Sequence, residues 1–202
     1  MRRIVLFDRV SADGYFSAPD GSLDWVVQEE TLDQEAGSSS ASPGRGTLLL
    51  GRRTYESFEG FWRQFDDDGS TPVPDPHDPE RHSNAMRAMA TYINDATKVV
   101  LSKTLREVTW RNARLLREFD PREIEAMKNE PGKDIRVFGS GSLVTQLTEH
   151  GLIDEYQLIV GPILLGEGRS WLGGIARHVR LNLVEVKQYP AGNVMLRYTP
   201  QA

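Results

Sequence analysis

Residues 134–168 read DIRVFGSGSLVTQLTEHGLIDEYQLIVGPILLGEG. An apolar run at 135–138, interrupted once by Arg136, passes straight into Gly139-Ser140-Gly141-Ser142. Leu143, Val144 and Leu147 then recur at helical spacing, and Gly151 supplies the C-terminal stop of that helix. A second apolar run, 156–160, ends at Gly161-Pro162. Strand, glycine turn, helix, strand is one βαβ unit. Its turn carries the chemistry. Gly139 and Gly141 let the backbone approach a ligand, and Ser140 or Ser142 caps the helix. Free amides at a positive helix end suit an anion such as a pyrophosphate. A plain capped helix start fits the same residues, because this turn is not the full G-x-G-x-x-G fingerprint.

Working outward, residues 4–7 form a buried first strand, followed by SADGYFSAPDGSLDW with turn signals at Asp13-Gly14 and Asp20-Gly21. Asp24 is placed to cap a helix carrying Trp25, Val26, Glu29 and Glu30, and residues 36–46 are loop by composition. Residues 47–50 give a second strand, and Gly51-Arg52-Arg53-Thr54 turn into a helix around Tyr55 and Phe58. The stretch 64–84 is rich in proline and acid and reads as a surface loop or lid. Residues 86–94 are helical, 98–101 form a third strand ending at Ser102-Lys103, and Pro121 opens a helix over 121–129. In the tail, alternating apolar residues at 179–183 and 194–198 flank Pro190-Ala191-Gly192-Asn193, an antiparallel hairpin with a parity change that predicts a bulge at Val184. The class is α/β, with parallel early strands and an antiparallel edge.

Composition narrows the function. A chain of 202 residues is expected to be a single domain, and 39% hydrophobic with 26% charged residues is the balance of a soluble globular protein. No apolar run approaches the ~20 residues of a membrane span. The N-terminus MRRIVLFDR loses its apolar residues too soon for a signal peptide. The absence of cysteine excludes disulfide and thiolate chemistry and suits a reducing cytoplasm. A net charge of −5 argues against nucleic acid as main partner.

Three strand ends collect phosphate-friendly residues: Gly51-Arg52-Arg53-Thr54, Ser102-Lys103 and Gly139 to Ser142. Ligands of open α/β sheets sit outside the carboxyl ends of the strands. Guanidinium, ammonium, hydroxyl and amide donors gathered there point to a phosphorylated cofactor. At this point the chain resembles a known family. LLLGRRTYESF is similar to the strand-to-helix phosphate motif of dihydrofolate reductases. SADGYFSAPDGSLDW, with FGSGSLVTQL and GLIDEYQLIVGPILLGEG, resembles the reductase domain of bacterial riboflavin biosynthesis and its stand-alone relatives. The similarity covers nearly the whole chain outside 64–84. It implies a three-layer α/β/α dihydrofolate-reductase-like fold with a mostly parallel central sheet, an NADPH cofactor and a homodimer.

Carried over by position, the resemblance places Arg52 and Arg53 by the adenosine 2′-phosphate and Thr54, with Gly51 before it, by the pyrophosphate. Ser102 and Lys103 flank the ribose phosphate. Gly139, Ser140, Gly141, Ser142 and Leu143 hold the pyrophosphate bridge, and Ala12, Asp13 and Gly14 lie by the nicotinamide and substrate. Phe138 stands where riboflavin-pathway reductases carry a glutamate, and Gly139-Ser140 where dihydrofolate reductases carry a cis-linked glycine pair. Asp24, Glu29 and Glu30 lie near the position of the dihydrofolate reductase carboxylate.

The expected activity is hydride transfer from NADPH to a small, pterin- or aminopyrimidine-like substrate; a nucleotide-binding sensor without turnover is the alternative. Asp13 is the candidate to position substrate or relay the proton, with an ordered water as competitor and a turn-forming role as the simpler reading. Trp25 and Trp62 either line a ring pocket or fill the core, and Glu167 either faces the site or is solvated. His77 and His82, beside Asp75 and Asp78, have a spacing a metal can use, but no regular scaffold holds them, and no metal is expected.

Overall fold

A computed structural model of the chain describes residues 1–27, 29, 31–32, 35, 46–67, 69–76, 78–139 and 141–201. Its elements are β1 (Ile4–Ser11), β2 (Tyr15–Ser17), β3 (Thr47–Gly51), α1 (Arg52–Trp62) with a 3₁₀ turn at Arg63–Phe65, β4 (Pro74–Asp75), β5 (Asp78–His82), α2 (Asn84–Asp95), β6 (Thr97–Leu101), β7 (Ala113–Leu116), α3 (Pro121–Lys128), β8 (Ile135–Phe138), α4 (Gly141–Glu149), β9 (Glu155–Gly161), β10 (Arg169–Ser170), β11 (Leu181–Gln188) and β12 (Val194–Pro200). No helix among the described residues is long and apolar enough to cross a membrane.

One eight-stranded sheet runs β11-β12-β9-β1-β8-β3-β6-β7. From β7 to β9 every pair is parallel, and β12 and β11 are added antiparallel beyond β9. Period-two alternation gives each face its own core. On one face Ile4, Leu6, Leu49, Val99 and Val137 meet Ile124 and Met127 of α3 and Leu143, Val144 and Leu147 of α4. On the other, Leu48, Leu50 and Val100 meet Tyr55 and Trp62 of α1 and Met86, Ala90 and Ile93 of α2. Helix, sheet, helix is the three-layer α/β/α architecture.

Local signals act as expected in several places. Pro121 stands in the first turn of α3, whose cap Asp120 accepts from the Arg122 amide at 2.9 Å. Gly151, at φ 65°, ends α4; Gly151 N bonds to Thr148 O and Leu152 N to Leu147 O, the two bonds of a Schellman stop. The tail hairpin forms, and its register shifts between Leu183 and Glu185 at the predicted bulge.

Two expectations need correction. Asp24 and Trp25 lie in a turn rather than at the start of a helix; among the described residues of this stretch the helical ones are 31, 32 and 35. The stretch 64–84 is also more than a surface loop. It contains the β4–β5 ladder, and Phe65 and Val73, 7% and 2% exposed, join the core cluster of Trp62 and Met86. Two apolar side chains suffice to fasten a polar segment when both reach the core.

Candidate functional site

The helices after β3 and β8 lie on opposite faces of the sheet, although the two strands are neighbours. Such a switch opens a crevice at the carboxyl ends of the strands. A cleft of about 1370 Å³ occupies that place. One wall is the start of α1, with Gly51, Arg52, Arg53 and Thr54. Another is the glycine turn and the start of α4, with Gly139, Gly141, Ser142 and Leu143, faced by Arg169 and Ser170 of β10. Behind these lies a chamber of aromatic and aliphatic side chains that includes Phe7, Phe58, Trp62, Met86 and Phe138.

The polar wall differs in detail from the sequence expectation. Arg52 donates to Glu56 at 2.8 Å and to Thr104 at 2.9 Å, whereas Arg53 is exposed and has no hydrogen bond or ion pair among the described residues. Gly139 has φ 52°, a left-handed conformation that favours glycine, and Thr54 Oγ1 stands 3.4 Å from where its Cβ would be. A Cβ on Gly141 would lie 3.2 Å from the backbone oxygen of Ser170, so glycine lets the turn and β10 approach each other. Ser140, and with it the Gly139-Ser140 peptide, lies outside the described residues, as do Glu30 and His77.

Four sequence candidates stand off the cleft lining among the described residues. Ser102 is buried, and its hydroxyl accepts from the amides of Thr104 and Leu105, which closes its own turn. Lys103 is exposed, and its neighbour Thr104 is the residue that reaches the cleft. Ala12 donates its amide to Ile163 O. Asp13 accepts from Ser11 Oγ at 2.6 Å, from Gly166 N at 2.7 Å and from Leu165 N at 3.1 Å. The Ser11 hydroxyl first, then those amides, hold its carboxyl below the usual range, so at neutral pH it is an ionised loop clamp with no proton to give.

Of the other residues singled out, Trp62 lines the chamber, whereas Trp25 and Glu167 do not. Glu29 is buried and accepts from Ala191 N at 2.9 Å, in the turn of the tail hairpin, and Asp24 is exposed. His82 sits in β5.

Sequence reading missed a buried acid of the cleft. Asp8 lines the cleft and is 8% exposed. Its only hydrogen-bond partner among the described residues is the amide of Arg9, at 3.0 Å on Oδ1. Burial pushes its carboxyl up to about 8. The β1–β8 ladder ends at Phe7 and Phe138, so Asp8 is the first residue of β1 beyond the end of β8, at the level of the glycine turn. Phe138 packs on Phe7 and Phe58 at ring-centroid distances of 5.9 and 5.6 Å.

Comparison with known proteins agrees with this architecture. A sequence profile described as the RibD C-terminal domain matches residues 2–195. The chain is 27% identical to the uncharacterised protein YyaP of Bacillus subtilis over 197 residues, 98% of this chain and 94% of YyaP. A crystal structure assigned to riboflavin biosynthesis from Shewanella sp. PV-4 superposes with TM-score 0.70 at 22% identity, over 99% of both chains. The Thermotoga maritima diaminohydroxyphosphoribosylaminopyrimidine deaminase/5-amino-6-(5-phosphoribosylamino)uracil reductase superposes with TM-score 0.62 at 11% identity, over 99% of this chain and 57% of that one.

Proposed function

Because the chain belongs to the RibD C-terminal domain family, we propose that it is an NADPH-dependent reductase acting on a small, flat, largely uncharged substrate. The observation that carries this reading is one cleft joining a glycine turn at a helix N-terminus, and an arginine unpartnered among the described residues, to an aromatic chamber. The donor set fits the cofactor. Amides around Gly139 and Gly141 and the hydroxyls of Thr54 and Ser142 suit a pyrophosphate, and Arg53, with Arg52 beside it, suits an additional phosphate. When bound, a reduced nicotinamide supplies a hydride.

The chamber supports a ring substrate. Phe7, Phe58 and Phe138 form a connected aromatic wall, and such faces hold a flat ring by stacking and burial. An apolar Phe138 in place of a carboxylate favours a substrate other than the phosphoribosyl aminouracil of the riboflavin pathway. The test is NADPH oxidation across pterins, pyrimidines and simple carbonyls. NADPH binding without oxidation of any member defeats the reading.

Arg53→Ala is expected to weaken NADPH binding about tenfold and to leave NADH binding within about twofold, because a hydrogen bond to a charged group contributes ~1.5–3 kcal/mol. Fluorescence titration with both cofactors checks this, and equal losses for the two place Arg53 away from the extra phosphate.

A homodimer paired through β11 belongs to the same proposal. β11 is an outer strand of the sheet, and Leu183, Val184 and Val186 on it are 56%, 49% and 56% exposed. An uncovered apolar edge is a pairing surface. Light scattering should give about twice the chain mass of 22.7 kDa, and Leu183→Lys with Val186→Lys should return it to the chain mass. A wild-type chain that runs as a monomer removes the dimer from the proposal.

A further inference from the structure

Resting on the reductase reading, we propose that Asp8 is the proton donor of the cleft, delivering its carboxyl proton to the nitrogen or oxygen of the substrate double bond. Reduction of a C=N or C=O bond adds a hydride to carbon and a proton to the heteroatom. As the new N–H or O–H bond forms, the Asp8 O–H bond breaks and its electron pair stays on the carboxylate. The hydride and its two electrons come from the reduced nicotinamide, which ends oxidised, and Asp8 regains a proton from water after release.

Geometry is the first support. Asp8 follows Phe7, which belongs to the aromatic wall, and stands level with Gly139, which belongs to the phosphate-friendly turn. It therefore sits where the two halves of the cleft meet. Buried carboxyl groups normally have partners. Oδ2 of Asp8 has none among the described residues, and neither does the Ser17 hydroxyl, which is 2% exposed on the same cleft. Two polar atoms without a hydrogen bond among the described residues, on two residues lining one cleft, are a place for polar atoms of a ligand.

Chemistry is the second. A donor must hold its proton at working pH. The charged side chains lining the cleft are Arg9 on β1 itself, Arg52, Arg53 and Glu56 on α1, Asp75 on β4 and Arg169 on β10; the lining part of α4 carries none. None of them sets the titration of Asp8, which burial governs, opposed only by the Arg9 amide. Asp13, the acid expected from sequence, is held ionised instead.

The test joins turnover to a measurement that needs no substrate. Asp8→Asn keeps shape and volume. The folded state retains a proton that the unfolded chain releases near pH 4, so wild-type stability should fall as pH rises from there to about 8. Asp8→Asn lacks this loss, and should melt about 5 °C or more above wild type at pH 9, with the gap closing towards pH 5. In turnover it should lower kcat by about 10²-fold or more with NADPH affinity within about threefold, and wild-type kcat should decline above the titration of Asp8. A melting gap constant between pH 5 and 9, or a variant kcat within about threefold of wild type, overturns the assignment. If wild type binds NADPH but reduces no member of the panel, the reductase reading fails and the donor role with it; the melting series still reports whether Asp8 holds its proton.

Discussion

Deletion of residues 66–76 is expected to lower the melting temperature by about 10 °C. The reason is packing. Val73 is 2% exposed and joins Trp62, Phe65 and Met86 in the core beside α1 and α2. Burial of one such aliphatic side chain stabilises by ~1.5–3 kcal/mol, and its removal also uncovers the aromatics beneath. Loss of the two-bond pairing of Arg111 with Asp66 adds little, because both side chains are substantially exposed. A total of roughly 3–5 kcal/mol corresponds to about 6–20 °C in a chain of this size. Val73→Ala isolates the packing contribution and should cost about 2 kcal/mol. NADPH affinity of the folded deletion variant should stay within about threefold, since the glycine turn and Arg53 lie on other walls. Turnover should fall, because Asp75 and Pro76 line the cleft. A deletion that melts with wild type means that Phe65 and Val73 do not fasten this segment.

That segment also shows where sequence reading loses its grip. Its composition is that of a loop, and the two side chains that anchor it, Phe65 and Val73, are too far apart to make a periodic pattern. What fixes them is contact with α1 and α2, a long-range fact. The ARLL strand at Ala113–Leu116 escaped for a related reason: it joins β6 in parallel with no helix between them, so the alternation that marks a βαβ unit is absent. In contrast, the glycine turn, the Gly151 stop, Pro121 and the hairpin with its bulge depend on neighbours in sequence, and all were legible.

The candidate site divides the same way. Gly51 to Thr54 and Gly139 to Ser142 were legible because turn chemistry is local, and the described members of both sets line one cleft. Asp8 was not. In IVLFDRVS it reads as the polar end of a strand, and only the register, which stops β8 opposite Phe7, shows that the next residue opens onto the cleft. Asp13 was misleading for the opposite reason. Asp-Gly is a turn signal wherever it occurs, and here the carboxylate serves the turn and the 165–166 backbone.

Gly141→Val is expected to weaken NADPH binding by roughly 30-fold, about 2 kcal/mol, and to lower the melting temperature by about 3–8 °C. Sequence alone gives one reason, a branched side chain against the phosphate. The structure supplies a second, because the Cβ already points at the Ser170 backbone oxygen at 3.2 Å, with Trp171 O and the Phe16 ring at 3.8 Å. Two further methyl groups must displace β10, and with it Arg169 and Ser170 on the facing wall. Overpacking of this kind costs about 1–3 kcal/mol. Gly141→Ala separates the two reasons. Gly141 has no positive φ, so alanine is unstrained there, and its lone Cβ needs Ser170 to yield by only a few tenths of an ångström. If β10 is what valine disturbs, alanine binds NADPH within about threefold and melts near wild type, while valine loses on both measures. If alanine already abolishes binding with melting unchanged, the ligand itself fills the space against Gly141 and the wall argument fails. If valine binds and melts as wild type, the close approach of the turn to β10 has no bearing on the cofactor.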